Sequence, residues 1–428
     1  MLNKIKEIKA DNDLYETILV AAGTLTGAFF SYLLQFFLGR KLSVEDYGSF
    51  NAILSLSYLI SVPAAVLSIS LVKVVSELFV RNDENKIKLL FVRLSVMALI
   101  VGFLQSSIFI FLSGRISVTL KINSVTPVIL FAILLGFSFL NGIPPSYLQG
   151  LQKFKNFSIY QILMCFNRFF GAFVLVILGF GLNGVFGGMM ASSVVTFIIG
   201  TALIGLNLKT FQKSDLSPQY KKLLSFSLPV LFVYFSLTFL SNIDLIMVKK
   251  FFTPIEAGYY SGAITLGKML LFGAGAVTTV MFPKITALYS KGVDFYKELK
   301  NLLGILISLL VIGVVCYSIF PGIITNVFFG KTFENSVKYL PMFSVFVALY
   351  VLVNFFVLFF LAIEKRAVSL ILLPMILLQY LLLQQFHSSI YEVIKVDIFV
   401  CIMTLVMLIL FFTAQRFKWL KSLTTAKN

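Results

Sequence analysis

Twelve apolar runs, each about as long as a bilayer-crossing helix, leave almost no chain over for anything else. They are centred on residues 15–38, 48–72, 89–112, 126–147, 157–181, 183–205, 224–250, 256–282, 299–320, 338–362, 367–386 and 392–414. A spanning helix needs about 20 mostly apolar residues, and inside lipid a helix satisfies its own backbone hydrogen bonds. Charged residues make up 12% and mean hydropathy is +0.97, whereas a soluble chain carries about 25% charged residues. The expected fold class is all-α: a polytopic membrane protein of about twelve transmembrane helices. Its weakest boundary is Gly181-Leu-Asn-Gly184, the only break between the fifth and sixth runs.

The chain also repeats itself. Ser43-Val-Glu-Asp-Tyr-Gly-Ser-Phe50 returns as Thr253-Pro-Ile-Glu-Ala-Gly-Tyr-Tyr260, 210 residues later in a chain of 428. The same offset sets Ala64 over Ala274, Ser68 over Thr278, Ser76 over Thr286 and Leu78 over Leu288. Six spans per copy is an even number, so both copies insert in the same sense. The expected architecture is two six-helix lobes related by a pseudo-two-fold along the membrane normal: lobe 1–206, cytoplasmic linker 207–222, lobe 223–428. Pro63, Pro229, Pro283 and Pro374, with the pairs Gly23/Gly27 and Gly184/Gly188, lie deep in the runs. Small residues let membrane helices approach closely.

A formal charge of +17 could suggest nucleic acid, but its distribution gives another reason. With both termini inside, the cytoplasmic segments hold 22 of the 35 Lys/Arg and the opposite loops 9, which is the positive-inside bias. No nucleic-acid partner is expected. The polar head before the first run reads as part of a retained anchor, not a cleaved leader. Cys165, Cys316 and Cys401 fall inside runs, the single histidine is His387, and no Cys/His cluster or phosphate-binding glycine loop is present. No metal, cofactor or catalytic residue is expected, and the chain reads as a non-enzyme.

Four cations remain in or at the ends of runs. Lys73 lies at a cytoplasmic end, with Glu77 one helical turn on as its expected partner. Arg93 lies about 6 Å in, within reach of headgroups. Arg168 and Lys268 sit near mid-depth, where an ionised group costs about 2.5–3.5 kcal/mol on the insertion scale. Gln161, Cys165, Gly171 and Ala172 flank Arg168, and Ser261, Thr265 and Gly275 flank Lys268; these small or polar neighbours mark a lumen-facing side. Two unpaired cations at that depth point to an anion path, and structural pairing is the competing reading. Asp244 reads as the only acid well inside a run, about 9 Å off the depth of Lys268, so a direct pair is not expected and Lys249 or Lys250 are nearer partners. It is a candidate for a coupled proton or sodium ion, or else a cap for the outer loop.

Three stretches together resemble the oligosaccharide flippases of polysaccharide biosynthesis, the Wzx-type exporters of the MATE-like MOP superfamily. They are Phe37-Leu-Gly-Arg-Lys-Leu-Ser-Val-Glu-Asp-Tyr-Gly-Ser-Phe50, Leu148-Gln-Gly-Leu-Gln-Lys-Phe-Lys155 with Gly179-Phe-Gly-Leu-Asn-Gly184, and Asn242-Ile-Asp-Leu-Ile-Met-Val248 with Glu256-Ala-Gly-Tyr-Tyr260. The resemblance implies translocation of a polyprenyl-diphosphate-linked oligosaccharide from the cytoplasmic to the outer leaflet of the plasma (inner) membrane, by alternating access in a monomer. Polysaccharide polymerase or export machinery would be its protein partners. Arg168 and Lys268, with Lys73 and Arg93, are the basic residues expected to meet the diphosphate. The rival readings are a cation-coupled drug antiporter of the same superfamily, expected to carry cavity acids, and a membrane sugar polymerase or ligase, expected to show a large catalytic outer loop.

Overall fold

The computed structural model describes residues 2–207, 212, 214–365 and 367–425. All regular structure among them is helical. Contacts divide the chain into two compact units, Met1–Leu231 and Phe232–Asn428. Of the expected linker 207–222, residues 208–211 and 213 lie outside the described residues.

The first unit contains α1 (Leu2–Lys41), α2 (Val44–Ile60), α3 (Val62–Val80), α4 (Glu84–Thr119), α5 (Thr126–Gly136), α6 (Ser138–Asn141), α7 (Ile143–Gly150), α8 (Phe154–Leu175) and α9 (Gly181–Ile204). It also holds the first half of α10 (Ser217–Leu240). The second unit takes the rest of α10, then α11 (Ile243–Phe251), α12 (Pro254–Gly267), α13 (Met269–Ser290), α14 (Tyr296–Ile319), α15 (Pro321–Phe329), α16 (Leu340–Ala362), α17 (Val368–Gln385) and α18 (Ile390–Thr425). Among the described residues nine helical stretches are long and apolar enough to cross a membrane, and two bent pairs, 126–150 and 217–240, raise this to 11.

One of the nine, Phe154–Ile204, is itself a hairpin. A Cβ on Gly188 would strike the Gly171 carbonyl, one on Gly184 would lie 2.9 Å from Leu175 carbonyl oxygen, and Ser192 Oγ donates to Asn167 O. As one strand of contacts ascends α9 the other descends α8, so the two helices are antiparallel and the count reaches twelve. The turn falls at Gly179 (φ 89°) and Gly181 (φ 51°), a left-handed conformation that a side chain would resist. It begins two residues before the expected Gly181–Gly184 break.

The repeated motif is a helix start. Ser43 caps α2 by accepting from the Asp46 N–H at 3.1 Å, and Thr253 caps α12 by accepting from the Glu256 N–H at 3.3 Å. Glu256 returns the bond to the Thr253 N–H at 3.1 Å, completing a capping box that satisfies two otherwise orphaned donors. The aligned Phe50 and Tyr260 are both buried. In each copy the element so started is broken midway, at Ser61 between α2 and α3 and at Lys268 between α12 and α13.

Gly23 and Gly27 lie against Ser158 and Cys165 of α8, and Gly188 against Gly171, so these glycines serve close packing. Large apolar side chains such as Phe103 (73% exposed) and Phe111 (87% exposed) stand outward from α4, a surface suited to acyl chains rather than water. At the polar end of α4, Asp83 caps the helix, and its hydrogen bond to the Lys86 side chain holds its carboxyl below the usual range.

Candidate functional site

Arg168 lies on α8, about 21 Å along the helix from Phe154 at 1.5 Å per residue. It lines a cavity of ≈ 190 Å³ within the first unit, together with Ser57 and Ser61 at the α2–α3 break, Ser138 and Asn141 of α6, and Ser192, Ser193 and Thr196 of α9. Arg168 Nε, Ser138 Oγ and Asn141 Oδ1 are buried without a hydrogen-bond partner. Among the described residues the ion pairs are Lys86–Asp83, Lys88–Glu84, Lys222–Glu77 and Lys284–Glu298, and none involves Arg168. A guanidinium offers a planar fork of donors and the serines rotatable donors and acceptors. Such a lining offers donors and acceptors that could satisfy the oxygens of an anionic group.

The side chains that mark this cavity are not those expected. Gly171 packs on α9, and Cys165 packs on α1, where Ser31 Oγ donates to its sulfur at 3.7 Å. These small neighbours of Arg168 mark helix contacts, because close approach needs small residues whether or not a lumen is near. The lining hydroxyls come from α9 and from the helix breaks.

The second unit gathers a denser polar cluster. The helix stops at Ser241–Asn242 and resumes as α11, which leaves carbonyls of α10 without partners. Gln379 Nε2 donates to Leu240 O at 3.1 Å and to Asp397 Oδ1 at 2.8 Å. Asp244 stands in the first turn of α11, where the helix dipole favours negative charge, and accepts from the Tyr260 hydroxyl at 2.8 Å. Lys268 Nζ donates to Asn242 Oδ1 at 3.0 Å. Asp244, Asp397 and Gln379 are 0% exposed. Asp244 Oδ1, Asp397 Oδ2 and Gln379 Oε1 have no hydrogen-bond partner.

Lys268 and Asp244 are therefore closer than their positions along the spans suggest. Lys268 meets Asn242, two residues before Asp244, and Gln379 joins Asp397 to the Leu240 carbonyl, four residues before Asp244. The break at Asn242 brings the start of α11 to the Lys268 joint, which a count along straight helices cannot show. Asp397 also corrects the reading of Asp244 as the only acid well inside a span. It lies five residues into the run 392–414, almost as deep from the outer side as Asp244. That signal was available in the sequence.

Lys73 and Arg93 are both exposed, and neither lines the Arg168 cavity. Lys73 Nζ lies 4.7 Å from the centre of the Phe226 ring. Glu77, the expected partner of Lys73, forms its ion pair with Lys222 of α10 instead, since α10 packs against α3 and offers a better-placed ammonium. These contacts, with the Ser70–Ser227 hydrogen bond at 2.7 Å, are why the first half of α10 belongs to the first unit.

The fold has solved counterparts. An inward-facing multidrug resistance MATE family transporter of the MOP superfamily aligns with a TM-score of 0.73 at 16% identity, covering 93% of this chain and 96% of that one. The lipid II flippase MurJ, in an inward closed conformation, aligns at 0.68 and 16% identity, covering 92% and 87%. A MOP superfamily transporter from Pyrococcus furiosus, described as having a binding pocket of reversed polarity, aligns at 0.66 and 16% identity, covering 94% and 95%. No curated protein sequence matches the chain.

The protein is a multi-pass membrane protein with the MOP superfamily fold. It belongs to the polysaccharide biosynthesis protein family, whose profile matches residues 37–338.

Proposed function

We propose that the protein is a flippase that moves a polyprenyl-diphosphate-linked oligosaccharide from the cytoplasmic to the outer leaflet of the plasma membrane by alternating access. The observation that carries this reading is Arg168, buried at Nε, without an ion pair, in a cavity of serines, threonine and asparagine. A diphosphate carries about two negative charges, and a guanidinium meets phosphate oxygens bidentately. The cavity is smaller than the ordinary ligand pocket of about 300–1,000 Å³. It suits one phosphate-sized group, with the sugars and lipid tail accommodated elsewhere. Lys268 is a further candidate cation for the diphosphate in its own unit, Lys73 and Arg93 attract the passenger at the cytoplasmic face, and Asp244 carries a coupled ion. Family membership in polysaccharide biosynthesis supports a sugar-bearing passenger.

A second reading, a cation-coupled drug antiporter, gains from Asp397. The sequence argument against it relied on a single acid inside the spans, and the second unit holds two that are fully buried. One experiment separates the readings. Purified protein in vesicles with a labelled polyprenyl-diphosphate oligosaccharide should transfer the label between leaflets. Arg168→Ala should slow transfer at least tenfold while eluting as folded protein, and Lys268→Ala should also slow it. Undiminished transfer by Arg168→Ala would remove the anion path, and drug efflux with no sugar-lipid transfer would favour the antiporter.

A further inference from the structure

The Arg168 cavity is not lined for an anion alone. Its spare hydrogen-bonding groups are of two kinds. Among the described residues, Arg168 Nε and Ser138 Oγ are buried donors without a partner, and Asn141 Oδ1 is a buried acceptor without one. Ser192 Oγ is a second atom that can only accept, because its single proton goes to the carbonyl of Asn167 at 2.6 Å or of Gly188 at 2.7 Å. The oxygens of a fully ionised phosphate or sulfate only accept as well. Such an ion would use the two donors and leave the amide oxygen facing negative charge, with its desolvation uncompensated.

The fold holds that oxygen in place. α6 is a single turn, Ser138–Asn141, between the joints at Phe137 and Gly142. Residues three apart share a helix face, so Ser138 and Asn141 both reach the cavity. The Asn141 carbonyl accepts from the Tyr160 hydroxyl of α8 at 3.3 Å, and its amide nitrogen donates to Ser193 Oγ of α9. The side-chain oxygen is what Asn141 has left to offer a ligand.

We propose that Asn141 is a specificity residue: its side-chain oxygen accepts a hydroxyl that the passenger's first sugar carries beside the phosphate held by Arg168. The ligand is then a glycosyl phosphate with a free hydroxyl on the carbon next to the one that bears the phosphate. A cavity of ≈ 190 Å³, below the ordinary ligand range of about 300–1,000 Å³, takes the phosphate with that edge of the ring and leaves the later sugars outside. This deepens the diphosphate reading above and rests on it. A site that commits a buried polar group to a substrate hydroxyl rejects the analogue without one, because the group is then left unpaired. Selection therefore falls on the sugar joined directly to the diphosphate, whatever follows it.

Isothermal titration of the purified full-length protein in detergent at pH 8 tests this with glucose 1-phosphate, 2-deoxyglucose 1-phosphate and inorganic sulfate. Wild type should bind glucose 1-phosphate about tenfold or more tightly than either of the others. Asn141→Leu should bind the two sugar phosphates alike, whereas a merely structural asparagine would weaken both and keep their ratio. Arg168→Met should lose all three probes. If Asn141→Leu does not fold, the wild-type ratio decides. The hydroxyl reading is overturned if wild type binds the two sugar phosphates alike, or if Asn141→Leu keeps the preference. Equal, saturable binding of all three probes would leave Arg168 as an anion site and remove Asn141 from recognition. Saturable binding of none would remove the anion path, and the specificity residue with it.

Discussion

Arg168 and Lys268 look alike in the sequence, each a single basic residue within an apolar run, yet their surroundings divide them. Arg168 shares its cavity with hydroxyls and no acid, while Lys268 meets the Asn242 amide, two residues before Asp244. The position of Arg168 was legible because hydropathy gives depth. The company of Lys268 was not, since it is assembled from helices far apart in the chain; the Gln379–Leu240 bond alone joins residues 139 positions apart. Glycines show the same limit. A Cβ on Gly188 would collide with the backbone of Gly171, whereas one on its neighbour Gly187 would meet Leu175 Cδ1 at an ordinary 3.5 Å. Gly188→Ala should therefore destabilise the protein by about 1–3 kcal/mol, the usual range for overpacking, and Gly187→Ala should not. Melting in detergent checks this, and equal melting temperatures for the two variants would refute the hairpin packing.

At the scale of elements, duplication was readable and its purpose was not. The repeated Ser/Thr–acid–Gly–aromatic pattern proved to be an N-cap that starts each copy's second spanning element, a local signal that sequence carries well. Thr253→Ala should cost about 1 kcal/mol by removing the hydroxyl half of the capping box, measured as a lowered denaturation midpoint, with Thr253→Ser restoring it. A null effect would mean that tertiary packing alone holds the start of α12. The midway breaks were harder to foresee. Pro63, in the first turn of α3, has no N–H to continue α2, and α12 ends at Gly267, where the Tyr317 hydroxyl donates to the Leu266 carbonyl at 2.7 Å. Both candidate sites lie against such breaks, where exposed backbone and polar side chains coincide.

For the whole molecule, hydropathy predicts span number and the basic-residue bias predicts orientation. With Cys165, Cys316 and Cys401 replaced by alanine, a single cysteine at Gly292 should react with a membrane-impermeant maleimide only after cells are opened. One at Lys331 should react from outside. The opposite pattern would invert the membrane topology and with it the direction of the proposed transfer. The division of the chain near Leu231, within α10 rather than in the polar connector, follows from side chains: Glu77, Lys73 and Ser70 of α3 hold Lys222, Phe226 and Ser227.

Hydropathy and internal repetition were enough to anticipate an all-helical membrane fold of about twelve spans in two copies, and to single out the basic residues within the apolar runs. Those properties depend on local composition, because lipid imposes the same demand on every twenty-residue stretch. Which polar groups share a cavity depended on how broken helices turn and pack. Depth along a run cannot show that Asn242 reaches Lys268, that Gln379 ties Asp397 to the end of α10, or that serines from three elements surround Arg168. Each of those contacts is made by side chains brought together only when the helices close on one another.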